Sequence, residues 1–455
     1  MIDPACRGAD RAALQVAAAD QPRGKFMAPL IAEGCGPIKF LEAFQALQHP
    51  AERTPVLPRG LQHALRIVTD LGPGIVAWRE EQMQRIRHKA QELGGERAAY
   101  AAKLHPRVKS VIGHLHLPLL EWLLQESHFE DHDYLPSLMR GRPVLGRADD
   151  SPANPECHSP GKITLAQWAK HPRGRNKTML RRMKPATDGA DHTAWEKTKK
   201  AISKGYERGP YPINRYNLDE VCFTPRFAKW EQKEDGSWTA RNITDLKASG
   251  ANDTVEVMRK YCPEDLVYAW ALHRALREAL PQRTRIMGYR ADWEMAFRQC
   301  PTDPSQAKFL VELQWNPEWK SPCAIESDGQ PFGGKATQFN FIRDPQVMVA
   351  IGRDILGLLV CHYTDDTWGL EPEYAAHHAW SIWMELHKLV GWRLDAAKSP
   401  PPAFTFRLLG GDLHVGADEA FGMLPRRKAC QIQALITEHL RSDKLTPAQA
   451  SSLRG

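Results

Sequence analysis

The sequence predicts an α+β fold preceded by a mostly helical N-terminal region. Three observations predict it. From Tyr211 onward, short β-prone segments alternate with helical ones, and their local, hairpin-like spacing differs from the regular alternation of a doubly wound sheet. Upstream, apolar residues recur at three- and four-residue spacing, the period of a helix with one buried face. GxGxxG does not occur, and the single GxxxxGK, Gly329 to Lys335, is followed by Ala336 where a P-loop needs Ser or Thr, so nucleotide binding of the Rossmann or P-loop kind has no support.

The 455 residues have room for two or three domains, and 42% hydrophobic with 25% charged residues is ordinary globular composition. The longest unbroken apolar run, Ile355 to Cys361, is far short of the roughly 20 residues a membrane span needs. The first residues, MIDPACRGADRAAL, carry charges where a signal peptide has its apolar stretch. The expectation is an intracellular protein, cytoplasmic or nuclear, with no membrane partner. Nine cysteines spread from Cys6 to Cys430 without a CxxC spacing read as free, mostly buried thiols, which argues against a structural zinc site.

Residues 1–60, rich in Pro, Gly and Ala, read as a poorly ordered arm. Residues 61–145 read as helical. Ile75, Trp78, Met83, Ile86, Ala90 and Leu93 form one stripe stopped by Gly94-Gly95, and a second apolar block runs from Val108 to Leu124 around Pro118. His114, His116, His128 and His132 cluster without a Cys or carboxylate at ligand spacing, and so read as structural. Residues 146–210 read as a basic linker. Between Lys162 and Lys204 stand twelve Lys/Arg and three Asp/Glu, a net of +9 that leaves the rest of the chain at −2 out of the total +7. Such a segment is either the footprint of a phosphate-backbone binder or a solvated linker, and charge alone does not separate the two. Beyond it, VCFTPRFAKW, WTARNITDL, IMGYRADW and KFLVELQW read as strands, and Pro263–Leu280 and Pro372–Leu389 as helices.

Carboxylates carry the chemistry. An apolar β-run ends at His362-Tyr363, Thr364-Asp365-Asp366-Thr367 follows, and Trp368-Gly369-Leu370 resumes the strand pattern. Two adjacent aspartates at a hairpin tip repel each other unless a proton or cation lies between them, and hard divalent cations prefer such oxygens. An Asp-rich β-turn is the plain alternative. Upstream, RIMGYRADW reads as a strand ending at Asp292, a third carboxylate that would complete a two-metal site.

Asp292-x-x-x-Ala296-Phe297, Gln330-Pro331-Phe332-Gly333, Tyr363-Thr364-Asp365-Asp366, Lys398 and Leu409-Gly410 follow in one order. This series resembles the palm of retroelement reverse transcriptases, whose most specific short signature is Tyr-x-Asp-Asp. Thr224-Pro225-Arg226-Phe227-Ala228, a turn at Glu234–Ser237, and Arg241-Asn242-Ile243-Thr244-Asp245 resemble that family's fingers hairpin. The likeness covers about Tyr211 to Gly455. LPSLMRGRPVLG at 135–146 is more weakly similar to the region preceding this domain in some retrotransposons.

The resemblance implies a right-hand polymerase with fingers and an antiparallel palm sheet over 211–405, then a primer-grip turn and the start of a truncated thumb over 406–455. It implies Asp292, Asp365 and Asp366 as ligands of two Mg²⁺ ions, with Mn²⁺ as an alternative and the Trp293 carbonyl as a further ligand. Phe297 would exclude a 2′-hydroxyl, and Arg241, assisted by Lys229 or Lys233, would clamp the triphosphate. Phe332 and Gly333 would approach the nucleotide and template, and Tyr363 would be a further substrate-binding residue. Lys398 would protonate the leaving pyrophosphate, and Leu408-Leu409-Gly410-Gly411 would grip the primer. The implied activity is RNA-directed DNA polymerisation from dNTPs on an RNA or DNA template with a primer; no oligomeric state follows. The competing expectation is an inactive or truncated polymerase-like protein that binds nucleic acid without synthesis.

Overall fold

The computed structural model describes residues 55–232, 236–417 and 419–442, so the expected N-terminal arm lies almost wholly outside the described residues. Six helices come first: α1 (Arg59–Leu71), α2 (Ile75–Glu92), α3 (Arg97–Lys103), α4 (Pro106–Ile112), α5 (Leu117–Glu126) and α6 (Tyr134–Arg140). The stripe read from Ile75 is α2, with Ile75, Met83 and Ile86 buried. The expected Val108–Leu124 block is two helices, because Pro118 is accommodated only in a first turn. His116 caps that turn. Its Nδ1 accepts from the Leu119 amide at 3.3 Å, which leaves Nε2 to donate to the Ala90 carbonyl at 2.9 Å.

The segment 146–210 is folded rather than a linker. It contains β1 (Glu156–Ser159), α7 (Leu165–Ala169), α8 (Arg173–Arg182), α9 (Ala190–Ser203) and the start of β2 (Glu207–Tyr211). Its basic residues concealed an apolar complement: Trp168, Met179, Ala194 and Trp195 are buried. The mixed region follows with β3 (Phe223–Gln232), β4 (Trp238–Thr244), β5 (Val257–Arg259), α10 (Leu266–Ala279), β6 (Ile286–Asp292), β7 (Val311–Asn316), β8 (Ser321–Ser327) and α11 (Lys335–Leu356). Then come β9 (Val360–Tyr363), β10 (Asp366–Pro372), α12 (Glu373–Val390), β11 (Thr405–Leu408), β12 (Gly411–Val415), β13 (Ala420–Met423) and α13 (Arg426–Ser442).

Helices and sheets together make an α+β fold, as the sequence predicts. One sheet has five strands in the order β2-β8-β7-β3-β4, with β3 and β7 parallel and the other pairs antiparallel. A second, antiparallel sheet has the order β6-β10-β9, and a third is β11-β12-β13. The helical region does not stand apart from the sheets. One core joins Met83, Val111 and Leu120 to Tyr289, Phe341 and Trp383; a second joins Leu61 and Val68 to Leu272, Trp368 and Phe406. The β6-β10-β9 sheet is therefore packed by helices from both ends of the chain. Close approach also explains a glycine in it: a Cβ on Gly288 would fall 1.9 Å from the Phe406 ring.

Seven described cysteines are free, and Cys222, Cys300, Cys323 and Cys361 are buried. Among the described residues, no helix is long and apolar enough to cross a membrane.

Candidate active site

Register brings the three aspartates to one end of one sheet. The β9–β10 hairpin has a two-residue turn, Thr364-Asp365, and pairs Asp366 with Tyr363. On its other edge β10 pairs Asp366 with Asp292, the last residue of β6. The chain beyond β6 stays close, since the Trp293 amide donates to the Asp365 carbonyl at 3.3 Å. Thr364 takes a left-handed conformation, φ 56°, which a β-branched residue adopts only when its surroundings impose it. The Tyr261 hydroxyl supplies part of that constraint by accepting from the Thr364 amide at 2.9 Å.

The carboxylates feel their burial and one another. Burial, then the charges of Asp365 and Asp292, pushes Asp366 up to about 6. Burial raises Asp365 too, with Asp292 adding to the rise while Lys398 and Arg241 oppose it. Asp292 is raised by burial against the pull of Lys398, whose ammonium donates to Asp292 Oδ2 at 2.9 Å. Burial would lower Lys398, but its hydrogen bond to Asp292 and the charges of Asp292, Asp395 and Asp365 outweigh it, and its pKa is raised. Three oxygen donors that repel one another have the chemistry of a hard-cation site. As placed, they do not form a closed cage: among the described residues no three His, Cys, Asp or Glu groups converge as a metal site, and Lys398 occupies one face of Asp292.

Two buried ion pairs brace this hairpin, and sequence reasoning missed both. Arg353 on α11 contacts both oxygens of Glu264, at 2.9 and 2.8 Å, and donates to the Val360 carbonyl on β9. Glu264 also accepts from the His362 amide at 3.1 Å. At the far end of β10, Arg79 of α2 holds Glu371 at 2.9 and 3.1 Å, while Glu371 accepts from the Leu359 amide. These partners lie 89 and 292 residues apart, and no local pattern links them.

The other expected residues lie on several elements. Phe297 is half-buried; its ring meets Phe332 at 4.8 Å and Phe341 at 5.2 Å, both edge-on. It is reached through Met295 and Ala296, both at positive φ, 56° and 23°. Gly333, at φ 100°, lies against the end of β4, where a Cβ would come within 2.4 Å of the Thr244 carbonyl. Its own carbonyl accepts from Asn252 Nδ2 at 2.9 Å. Tyr363 is exposed at the hairpin. Trp293 turns its indole into the core against Phe341, His387 and Trp392. Arg241 on β4 is paired with Glu231 at 2.9 Å on the neighbouring strand, a partner the sequence reading did not assign. Lys229 stands opposite Arg241 in register and is exposed, and Lys233 lies outside the described residues. Leu409 and Gly410 form the two-residue turn between β11 and β12, both at positive φ.

No family profile matches this chain, and no curated protein matches it. Among solved structures it is similar to the foamy viral protease-reverse transcriptase dRH in complex with ds DNA, with 15% identity and a TM-score of 0.42. The alignment covers 76% of this chain and 50% of that one, so this chain spans about half the length of the solved neighbour it matches.

Proposed function

We propose that this protein is an RNA-directed DNA polymerase that extends a primer 3′-hydroxyl from deoxynucleoside triphosphates. The observation that carries the reading is the register of the β6-β10-β9 sheet, which sets Asp292 beside Asp366 with Asp365 in the adjoining turn. Such a carboxylate set suits a reaction whose reactants are polyanions. Asp292, Asp365 and Asp366 would hold divalent cations, which when bound lower the pKa of an attacking hydroxyl and neutralise a triphosphate.

The remaining roles belong to side chains. Arg241 offers a planar guanidinium for a phosphate, and its electrostatic influence already reaches Asp365. Engaging the triphosphate would require it to leave Glu231, an exposed pair that costs little to open. Lys398, positively charged beside Asp292, is placed to donate a proton to a departing phosphate oxygen. Phe297, held edge-on by Phe332 and Phe341, presents a rigid apolar surface against which a 2′-hydroxyl would clash. Primer extension on poly(rA)/oligo(dT) with Mg²⁺ or Mn²⁺ tests the reading. Labelled primer should lengthen with dTTP; a protein that binds the hybrid and never lengthens it would instead be a nucleic-acid binder.

A further inference from the structure

The basic segment is not uniform, and the difference separates neutralised cations from free ones. On α9, Lys199 pairs with Glu196 and Glu318, and Lys200 pairs with Glu294, as does Lys204 just past the helix end. Nearby, Lys162 pairs with Asp253 and Arg173 with Asp219. By contrast, among the described residues Lys177, Arg181, Arg182 and Lys184 have no acidic partner, and all four are exposed.

These four stand on a fixed platform. Asn176, Met179, Leu180 and Met183 recur at three- and four-residue spacing and turn inward. Asn176 donates to the Leu218 and Val221 carbonyls and accepts from the Phe223 amide, while Met179, Leu180 and Met183 pack on Phe223, Val311 and Leu313. The neighbouring Arg175 stacks over Trp168 at 4.5 Å and donates to its carbonyl. Lys177 and Arg181, four residues apart, fall on a flank of α8 away from that face, and Lys184 stands exposed two residues past the helix end. The C-terminal end of a helix dipole offsets only about half of one charge, so the stripe stays strongly positive.

Its location gives it a direction. Alternation along β3 puts Phe223, which α8 covers, on the same sheet face as Phe227 and Lys229, and Lys229 pairs across to Arg241. Phe227 is 44% exposed on this face. Six residues of strand separate Phe223 from Lys229, roughly 20 Å at about 3.3 Å per residue.

We propose that the exposed flank of α8 and the residues just past its C-terminal end are a docking track for the phosphodiester backbone of single-stranded nucleic acid, continuing the sheet face that leads to Arg241. Ammonium and guanidinium groups read phosphate and not the sugar, so RNA and DNA are bound alike. The track stands independently of the catalytic reading, because it uses none of the three aspartates.

The test is binding of labelled 20-nucleotide RNA and DNA strands across a salt series, in EDTA and without nucleotides, so that a protein with no polymerase activity can still pass. The triple variant K177A/R181A/K184A is compared with K162A/K199A/K200A, which removes three paired cations and the same charge. Melting temperatures check that both fold. The first variant should bind more weakly, with a slope of log affinity against log salt shallower by up to about 2 for both strands, at about 0.7 per lost contact. The second should stay near the parent. Equal slope changes in the two variants, no change in the first, or a change confined to RNA or to DNA would overturn the track. So would loss of binding to phosphatidylserine vesicles with oligonucleotide affinity intact, since that assigns the stripe to a membrane surface.

Discussion

The hairpin that carries two of the aspartates and the hairpin that carries Arg241 are built in opposite ways. In the β9–β10 hairpin every residue from Thr367 to Pro372 is buried, and the Glu264–Arg353 and Glu371–Arg79 pairs hold its ends. In the β3–β4 hairpin only one face is covered, by Ala190 and Ala194 of α9, while Phe227, Lys229, Glu231 and Arg241 lie open on the other. One hairpin fixes charges to a rigid floor. The other carries cations on a surface free to adjust to a ligand. Fixed carboxylates and adaptable cations are what a site handling a mobile polyanion requires.

The comparison breaks first at the brace. Arg353→Met leaves Glu264 charged and uncompensated in the core and should cost about 3–5 kcal/mol of stability. Denaturant unfolding measures it, and a loss below about 1 kcal/mol would mean the pair does not brace the hairpin. Next is Asp354, on α11 beside Arg353, pushed up to about 6 mainly by burial. A carboxyl raised in the folded state stabilises fully below its unfolded value near 3.8, and that contribution is lost as pH rises through about 6. Asp354→Asn should therefore be more stable than the parent at pH 7, by about 2–3 kcal/mol at most, with the advantage gone near pH 4. Melting curves at the two pH values decide this, and an advantage that is equal at both contradicts it.

Phe297→Ala removes a half-buried ring and should lower stability by roughly 1–2 kcal/mol, less than a fully buried phenylalanine costs. The ratio of ribo- to deoxynucleotide incorporation should rise several-fold or more. An unchanged ratio with a large drop in melting temperature would leave Phe297 as packing alone. The smallest effect on stability is at the open hairpin. Arg241→Ala breaks an exposed pair and should change stability by less than about 1 kcal/mol. The same substitution should raise the KM for dNTP, and steady-state extension kinetics with an unchanged KM would remove Arg241 from the site.

Legibility followed the range of the interactions. Strands β3, β4, β6 and β7 and helices α2, α10 and α12 were readable because period and turn residues are local signals. The Asp hairpin was readable for the same reason, since Thr364-Asp365 interrupts an apolar run. The misreadings had other causes. In 146–210 the charge density of α8 masked Asn176, Met179 and Met183 at helical spacing, a signal that was present and outweighed. The bracing ion pairs carry no local signal, because a buried Arg or Glu looks like any other until its distant partner is known. Arg241's pairing with Glu231 depends on cross-strand register, which composition does not set.

The central claim is that Asp292, Asp365 and Asp366 form a reaction centre and not merely an acidic turn. The most direct measurement sets Asp365→Asn beside the parent in primer extension on poly(rA)/oligo(dT) with Mg²⁺, with hybrid binding and melting temperature followed on the same preparations. The account predicts that the parent extends the primer and the variant does not, while both bind the hybrid with similar affinity and melt alike. Extension by the variant at the parent's rate would contradict it.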